Sequence, residues 1–319
     1  MSDDLAAAGY MLPASPFTTA QAIEAGMSPW RLRQLVRDGA LRRPLREVYV
    51  DATLDDSIEL RARSAALVVS KSAVVTDRSA AWLWGVDALR PVDLDVPPPL
   101  EIFVLRGDTR VRRGEVGGGV RDLSAADITV VEGVSVTTPL RTSLDLGCRL
   151  PRYEALAAMD ALSRSHHVGP QLLASQLPRF RRRRGVIQLR SLVGLVDARA
   201  ESSGESFARL AILDAGLPPP QPQFWVVEGE TSFRLDLAYP RLKVCVEYDG
   251  QDFHSTAEHR AHDARRRNWL RLRGWIVIVV TKDSFSSMAR DAWISNLRRA
   301  IEERTGRRES VRTPSAHAE

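Results

Sequence analysis

One part of the sequence has acidic residues on neighbouring strands, the arrangement from which proteins build sites for divalent cations. Alternating apolar residues predict a strand over residues 232–238 and a second strand over residues 243–248, with a tight connection between them. In the first strand we expect Leu235 and Leu237 to share one face and Asp236 to lie on the other, because successive side chains alternate across a strand.

The expected pairing of the two strands brings two carboxylates together. If Tyr239 pairs with Val244 in an antiparallel ladder, the same register places Asp236 directly opposite Glu247. Like charges opposite each other on a sheet repel, and a cation between them would remove the repulsion. Carboxylate oxygens are hard ligands that select Mg²⁺ or Mn²⁺. The pattern therefore predicts a metal site.

The order of these residues resembles a known nuclease core. A helix carrying Glu205, then Asp236, then Glu247-Tyr248-Asp249 resembles the PD-(D/E)XK superfamily. The run RLDLAYPRLKVCVEYDGQDFH is more closely similar to the DUF559 branch, relatives of the very short patch repair endonucleases. The resemblance covers roughly residues 201 to 303. It implies an α/β nuclease domain that hydrolyses phosphodiester bonds with Mg²⁺ or Mn²⁺.

Each candidate residue has a proposed role. Asp236 is the expected metal ligand, joined by the Glu247 carboxylate or the Tyr248 carbonyl. His254 is the candidate general base, because an unperturbed histidine titrates near neutral pH. Glu205 is expected to hold water near the metal. One of two arginines of the following helix, Arg266 or Arg267, is expected to neutralise the charge of the scissile phosphate.

The sequence departs from the superfamily at one position, because Asp249 stands where its name-giving lysine is expected. Asp249 is kept among the catalytic candidates, but another group must then stabilise the developing charge. Each of these residues alone is common on protein surfaces, so the nuclease interpretation depends on their joint order and spacing. The alternative is a DNA-binding regulator of the antitoxin kind, in which the nuclease core is not catalytic.

The first fifty residues have the pattern of a winged helix-turn-helix. Thr18 or Thr19 can cap a short helix, and Ser28 followed by Pro29 can begin a second one. A basic hairpin over residues 41–50 follows. The run FTTAQAIEAGMSPWRLRQLVRDGALRRPLREVYV resembles the N-terminal domain of AbiEi-type antitoxins. The alternative is a small helical subdomain without a ligand. The predicted DNA contacts are Arg31, Arg33, Arg37, Arg42, Arg43 and Arg46.

Composition narrows the class of protein. The chain has 319 residues, with 45 basic and 40 acidic side chains and a net charge of +5. Arginine clusters over residues 179–184 and 260–273 suit a nucleic-acid backbone, although a GC-rich genome also favours arginine. No long apolar run or signal-peptide pattern is visible, and Cys148 and Cys245 give no disulfide framework. We therefore expect a cytoplasmic protein without a membrane partner.

Together these features predict a multi-domain α/β chain. The expected domains are a winged helix over residues 1–90, a mixed connector over 91–200, a PD-(D/E)XK-like nuclease over 201–305 and a disordered tail over 306–319. The predicted function is a metal-dependent DNA endonuclease in repair or defence. The sequence leaves RNA open as a substrate, and it leaves the oligomeric state open.

Overall fold

A computed structural model of the chain describes residues 13–70, 73–88, 100–105, 117–250 and 257–312. The chain divides into two compact units. The first contains Met1–Arg149 and Gln171–Leu189, and the second contains Leu150–Pro170 and Arg190–Glu319. Both units combine helices with sheets, so the predicted mixed α/β class is confirmed. The finer division into three domains stays a prediction.

The first unit begins with two capped helices and a three-stranded sheet. Thr18 and Gln21 form a capping box at the start of the first helix, and the Ser28 hydroxyl accepts a hydrogen bond from the Arg31 amide at the start of the second. The sheet has the order β1-β3-β2. These elements are β1 (Phe17–Thr18), α1 (Thr19–Glu24), α2 (Pro29–Arg37), β2 (Leu41–Leu45) and β3 (Val48–Asp51).

A five-stranded sheet of order β6-β5-β4-β8-β7 forms the rest of the first unit. Buried Val75, Ile102 and Val136 lie in its core. Its elements are α3 (Ile58–Ala66), β4 (Ala73–Val75), α4 (Asp77–Leu83), β5 (Glu101–Leu105), β6 (Gly117–Arg121), β7 (Ile128–Val131), β8 (Val134–Thr137) and α5 (Pro139–Arg149). The next helix, α6 (Arg152–His166), belongs to the second unit. It is followed by α7 (Pro170–Gln176) and α8 (Val186–Val193). The boundary between the two units lies within α8.

The second unit has a four-stranded sheet of order β12-β11-β10-β9. The β9/β10 and β10/β11 pairs are antiparallel, whereas β11 and β12 are parallel. Helices α9 and α11 pack on one face, and α10 packs with Trp275 on the other. The elements are α9 (Ser203–Asp214), β9 (Gln221–Glu228), β10 (Thr231–Tyr239), β11 (Val244–Tyr248), α10 (Ala257–Leu272), β12 (Ile276–Val280) and α11 (Ser287–Arg312).

The predicted register between β10 and β11 is confirmed, because Tyr239 pairs with Val244 and Leu237 with Val246. The predicted common face of Leu235 and Leu237 is wrong. Leu235 lies in the cluster beneath α10, whereas Leu237 lies in the cluster beneath α9 and α11. The pairs Leu235–Phe224 and Leu237–Pro222 flank Asp236 and Gln223, which do not themselves pair, and Gln223 has a positive φ of 54°. The ladder is therefore irregular at the position where the alternation of β10 is lost.

Two segments differ from the sequence-based expectation. The proline-rich segment after α9 continues into strand β9, which the sequence pattern did not predict. Proline is tolerated in this strand because β9 lies at the edge of the sheet. Helix α11 continues to Arg312, beyond the expected start of the tail at residue 306. A single glycine inside a helix costs only about 1 kcal/mol, so Gly306 does not end it.

Candidate functional site

Glu205 lies at the N-terminus of α9, where the Ser202 hydroxyl caps the helix. The Glu205 carboxylate is buried and well supplied with donors. Its Oε2 accepts hydrogen bonds from the Gln223 amide at 2.7 Å and the Glu201 backbone N–H at 3.0 Å, and its Oε1 accepts one from Ser202 Oγ at 2.9 Å. These bonds fix the carboxylate in place.

Asp236 lies on β10, and its carboxylate accepts a hydrogen bond from the next strand. Its Oδ2 accepts from the Tyr248 backbone N–H at 2.8 Å. Burial raises the pKa of Asp236 to about 6, and the negative charge of Glu205 adds to this rise. Asp236 and Glu205 therefore belong to one electrostatic cluster.

Glu247 is the most unusual carboxylate of the site. Its side chain is only 4 % exposed, and Oε2 lies 2.6 Å from Nη2 of Arg266. The other oxygen, Oε1, is buried and accepts no hydrogen bond within the part of the chain that the structure describes. Burial, followed by the charge of Asp236, raises the pKa of Glu247 to about 7. A buried acceptor without a donor is costly unless another partner binds it.

The neighbouring residues close the site on two sides. Asp249, which replaces the expected lysine, forms an ion pair of 2.6 Å with Arg267. The Tyr248 ring lies against α9, where a Cβ atom on Gly204 would come within 2.2 Å of it. Arg266 also donates to the Arg234 carbonyl at 2.6 Å. Both arginines considered for the phosphate are thus engaged with carboxylates of this site.

The residues fit a divalent cation of the Mg²⁺ type. Two carboxylates, Asp236 and Glu247, supply oxygen ligands, and the partnerless Oε1 of Glu247 gives the site an unfilled acceptor. Mg²⁺ commonly binds through one or two carboxylates and keeps several waters. Over the described ranges, no three His, Cys, Asp or Glu side chains come together as a metal-binding group. Water or substrate would therefore have to complete the shell. The candidate base His254 lies outside the described residues.

Gln223 is a site residue that the sequence reasoning missed. Its backbone is left-handed, a conformation that costs a non-glycine residue about 1 kcal/mol or more. Its amide donates to Glu205 while its backbone lies opposite Asp236. Assigning residues 221–228 to a strand paired with β10 would have brought Gln223 to the site.

The predicted DNA contacts lie on α2 and the β2–β3 hairpin. Arg33 and Arg37 are exposed, whereas Leu32 and Leu35 face the core of this region. Arg31 is half-buried. Trp30, at the first turn of the helix, is 63 % exposed. Helix α2 therefore has one apolar inner face and one outer face with arginines.

The hairpin arginines differ in how far they are engaged. Arg46 is exposed at the tip. Arg42 donates to the Leu54 carbonyl at 2.5 Å, and the Arg43 guanidinium lies 6.0 Å from the centre of the Tyr49 ring. Arg42 and Arg43 thus help to attach the hairpin to its neighbours.

Comparison with known proteins identifies relatives for most of the chain. Residues 72–195 match the family described as the AbiEi antitoxin C-terminal domain. The proteins "Uncharacterized protein Rv2248" and "Uncharacterized protein MT2308", from two strains of Mycobacterium tuberculosis, are each 31% identical to it over 260 residues. The match covers 81% of this chain and 91% of each relative. The chain belongs to the family of these mycobacterial proteins.

This family relationship refines the expected resemblance. The AbiEi likeness is supported, but the match covers the C-terminal domain of that family and not the N-terminal domain to which residues 17–50 were compared. The segment interpreted as a connector is therefore antitoxin-like. The DUF559 resemblance stays a prediction, without support from these comparisons. No helix within the described ranges has the length and apolar character needed to cross a membrane.

Proposed function

We propose that the protein is a DNA-binding regulator of the antitoxin-like kind, and that its winged helix contacts duplex DNA. The observation that carries this proposal is the outer face of α2, where Arg33 and Arg37 are exposed beside the basic hairpin. The antitoxin-domain match directly downstream supports the same class of protein.

The geometry agrees with major-groove binding by a recognition helix. The inner residues Leu32 and Leu35 fix α2 to the core, so its outer side chains keep one orientation. Guanidinium groups bind phosphates and guanine edges in two-pronged contacts. Arg46 at the hairpin tip is placed to act as the wing, and exposed Trp30 adds an apolar contact at the start of the helix.

A salt titration tests the DNA proposal. Fluorescence anisotropy of labelled duplex DNA is measured at several salt concentrations for the wild type and for Arg33→Gln/Arg37→Gln. Each lost phosphate contact reduces the slope of log K against log salt by about 0.9, so we expect a fall of roughly 2. The matched control is Arg298→Gln/Arg299→Gln, which removes the same charge from α11. Equal slopes for all three proteins would contradict the proposal.

A second candidate function is metal-dependent nuclease activity in the second unit. We propose it because half-buried Asp236 and buried Glu247 interact electrostatically, and Glu247 has an unfilled acceptor, within the order α9-β9-β10-β11-α10-β12. That order, with β11 parallel to β12, is the arrangement expected of a PD-(D/E)XK-like core. Asp236, Glu247 and the Tyr248 carbonyl would hold the ion, which activates water and neutralises phosphate charge when bound.

The chain's own groups would then have separate tasks. Glu205, fixed by Gln223 and Ser202, orients water beside the pair. Arg266 is held near Glu247 and could move to a phosphate once a cation replaces it there. Asp249 carries the opposite charge to the expected lysine, and its ion pair with Arg267 keeps it from the phosphate.

Plasmid cleavage tests the second candidate. Supercoiled DNA is incubated with the protein and Mg²⁺ or Mn²⁺, with and without chelator. We expect nicking that Asp236→Ala abolishes while DNA affinity stays unchanged, because Asp236 holds the metal and contacts no phosphate. The exposed Asp283→Ala variant serves as control. Binding without cleavage by the wild type would support the regulator alone, and cleavage by Asp236→Ala would contradict the assigned site.

A further inference from the structure

The arginine loop, residues 179–184 of the first unit, is anchored by an aromatic side chain. Phe180 is 1 % exposed and lies between two guanidinium groups. Arg183 is 4.8 Å and Arg141 is 5.5 Å from the centre of its ring. Cation–π contacts of this kind fix both the ring and the arginines.

The loop is also fixed where it enters α8. Gly185 has a φ of 81°, and a Cβ atom there would lie 2.0 Å from the Cys148 carbonyl oxygen. Only glycine allows this approach. Arg182 has a positive φ of 64°, which is uncommon for a residue with a side chain. Such conformations persist where surrounding structure holds them, and they concentrate at ligand-binding sites.

The anchored loop presents arginines that carboxylates do not neutralise. Arg181, Arg182 and Arg184 are exposed, and among the described residues none of their three guanidinium groups has a hydrogen-bond or ion-pair partner. Arg179 pairs with Asp127 at 2.7 Å. Beside the loop lies a cleft of about 460 Å³. Its lining includes three arginines, Arg121, Arg179 and Arg183, and two aspartates, Asp122 and Asp127.

We propose that the arginine loop and this cleft bind the phosphate backbone of duplex DNA, as a second contact surface in addition to α2. The inference rests on the proposed DNA-binding function. Three neighbouring arginines without carboxylate partners repel one another, and a polyanion removes that repulsion. Guanidinium groups match phosphate oxygens in geometry. Because the loop is already held in place, binding orders little additional chain.

A charge-matched comparison tests the loop in the full chain. Anisotropy titrations with duplex DNA compare the wild type, Arg181→Gln/Arg182→Gln/Arg184→Gln, and the control Arg241→Gln/Arg298→Gln/Arg299→Gln. We expect the salt slope of the loop variant to fall by about 3, with affinity lowered roughly 10- to 100-fold near physiological salt. The control should keep the wild-type slope to within about 1. Arg182→Gly, at a φ that glycine adopts freely, should lower the slope by about 1.

The outcomes separate this inference from the proposed function. If the α2 variant loses slope but the loop variant matches the control, the loop inference fails and the proposed function stands. A wild-type chain that does not bind duplex DNA overturns both. A loop variant that loses affinity for single-stranded RNA but not for duplex DNA also overturns the assignment. Melting temperatures of the variants within a few degrees of the wild type establish that lost binding reflects lost contacts.

Discussion

Two buried carboxylate sites in this chain differ in how many donors reach them. In the first unit, Asp127 accepts hydrogen bonds from Arg179 at 2.7 Å, Arg141 at 3.1 Å and the Ser124 backbone N–H at 2.8 Å. Burial opposes ionisation there, but the hydrogen bonds from Arg179 and Ser124 outweigh it and lower the pKa of Asp127 to about 2. Asp127 is thus a permanently charged part of the fold.

In the second unit, the effect of burial on the carboxylate pKa values outweighs the effect of the hydrogen-bond donors. Among the described residues, one backbone N–H donates to Asp236 and one arginine to Glu247. Burial therefore dominates, and the pKa values rise to about 6 and about 7. Both sites are buried and acidic, so burial alone does not distinguish them. The supply of donors indicates that the first site is structural, and the shortage of donors at the second site supports the proposal that a cation binds there.

The largest expected effect comes from removing a donor of the first site. Arg141 is 1 % exposed and bonds to Asp145 at 2.8 Å and Asp127 at 3.1 Å. Arg141→Ala leaves buried charge without compensation, so we expect the free energy of unfolding to fall by about 3–5 kcal/mol in urea denaturation. Arg63→Ala, which breaks the exposed pair with Glu132, should cost at most about 1 kcal/mol. Similar losses for both would contradict the structural role of the first site.

A smaller, pH-dependent effect is expected at the second site. Because folding raises the pKa of Glu247 from 4.5 to about 7, its contribution to stability is complete below pH 4.5 and is lost as the pH rises through 7. Glu247→Gln does not titrate. In metal-free buffer the variant should therefore gain roughly 3 kcal/mol relative to the wild type between pH 4.5 and pH 8.

Denaturation at several pH values measures this difference, and the exposed Glu230→Gln variant is the control. The ion pair with Arg266 forms only when Glu247 is ionised, and its effect is already contained in the pKa of Glu247. A constant difference between Glu247→Gln and the wild type would show that Glu247 does not titrate in this range.

The smallest effect concerns Gln223. Gln223→Gly relieves the left-handed backbone but removes the hydrogen bond to Glu205, so the two changes oppose each other. We expect stability to change by less than about 1 kcal/mol, while metal affinity falls because Glu205 is less well fixed. Gln221→Gly on the same strand should lower stability slightly and leave metal affinity unchanged. If Gln223→Gly kept the wild-type metal affinity, Gln223 would not contribute to the metal site.

Local signals in the sequence were sufficient to predict much of this architecture. Thr18 and Ser28-Pro29 act on the helices that directly follow them, so both helix starts could be predicted. The tight turn between β10 and β11 sets the register, which ends at the Leu237–Val246 pair next to Asp236 and Glu247. These features depend on residues only a few positions apart.

The remaining features depend on distant contacts. Gln223 and Glu205 are 18 positions apart, and their contact requires a strand that the neighbouring prolines obscured. Arg121 meets Asp77 at 2.7 Å across 44 positions, and no spacing rule connects them. The prediction that Arg266 serves a phosphate did not anticipate its ion pair with Glu247, because helix α10 and strand β11 meet only in the folded chain.

A calorimetric Mn²⁺ titration measures whether Asp236 and Glu247 bind a cation, as proposed. At pH 7.5 we expect one binding site in the wild type, with affinity at least tenfold weaker in Asp236→Asn and in Glu247→Gln. The Asp127→Asn variant, altered in the donor-rich site, should bind Mn²⁺ as the wild type does. Absence of Mn²⁺ binding by the wild type, or an affinity that neither second-site substitution changes, would show that these two carboxylates hold no cation.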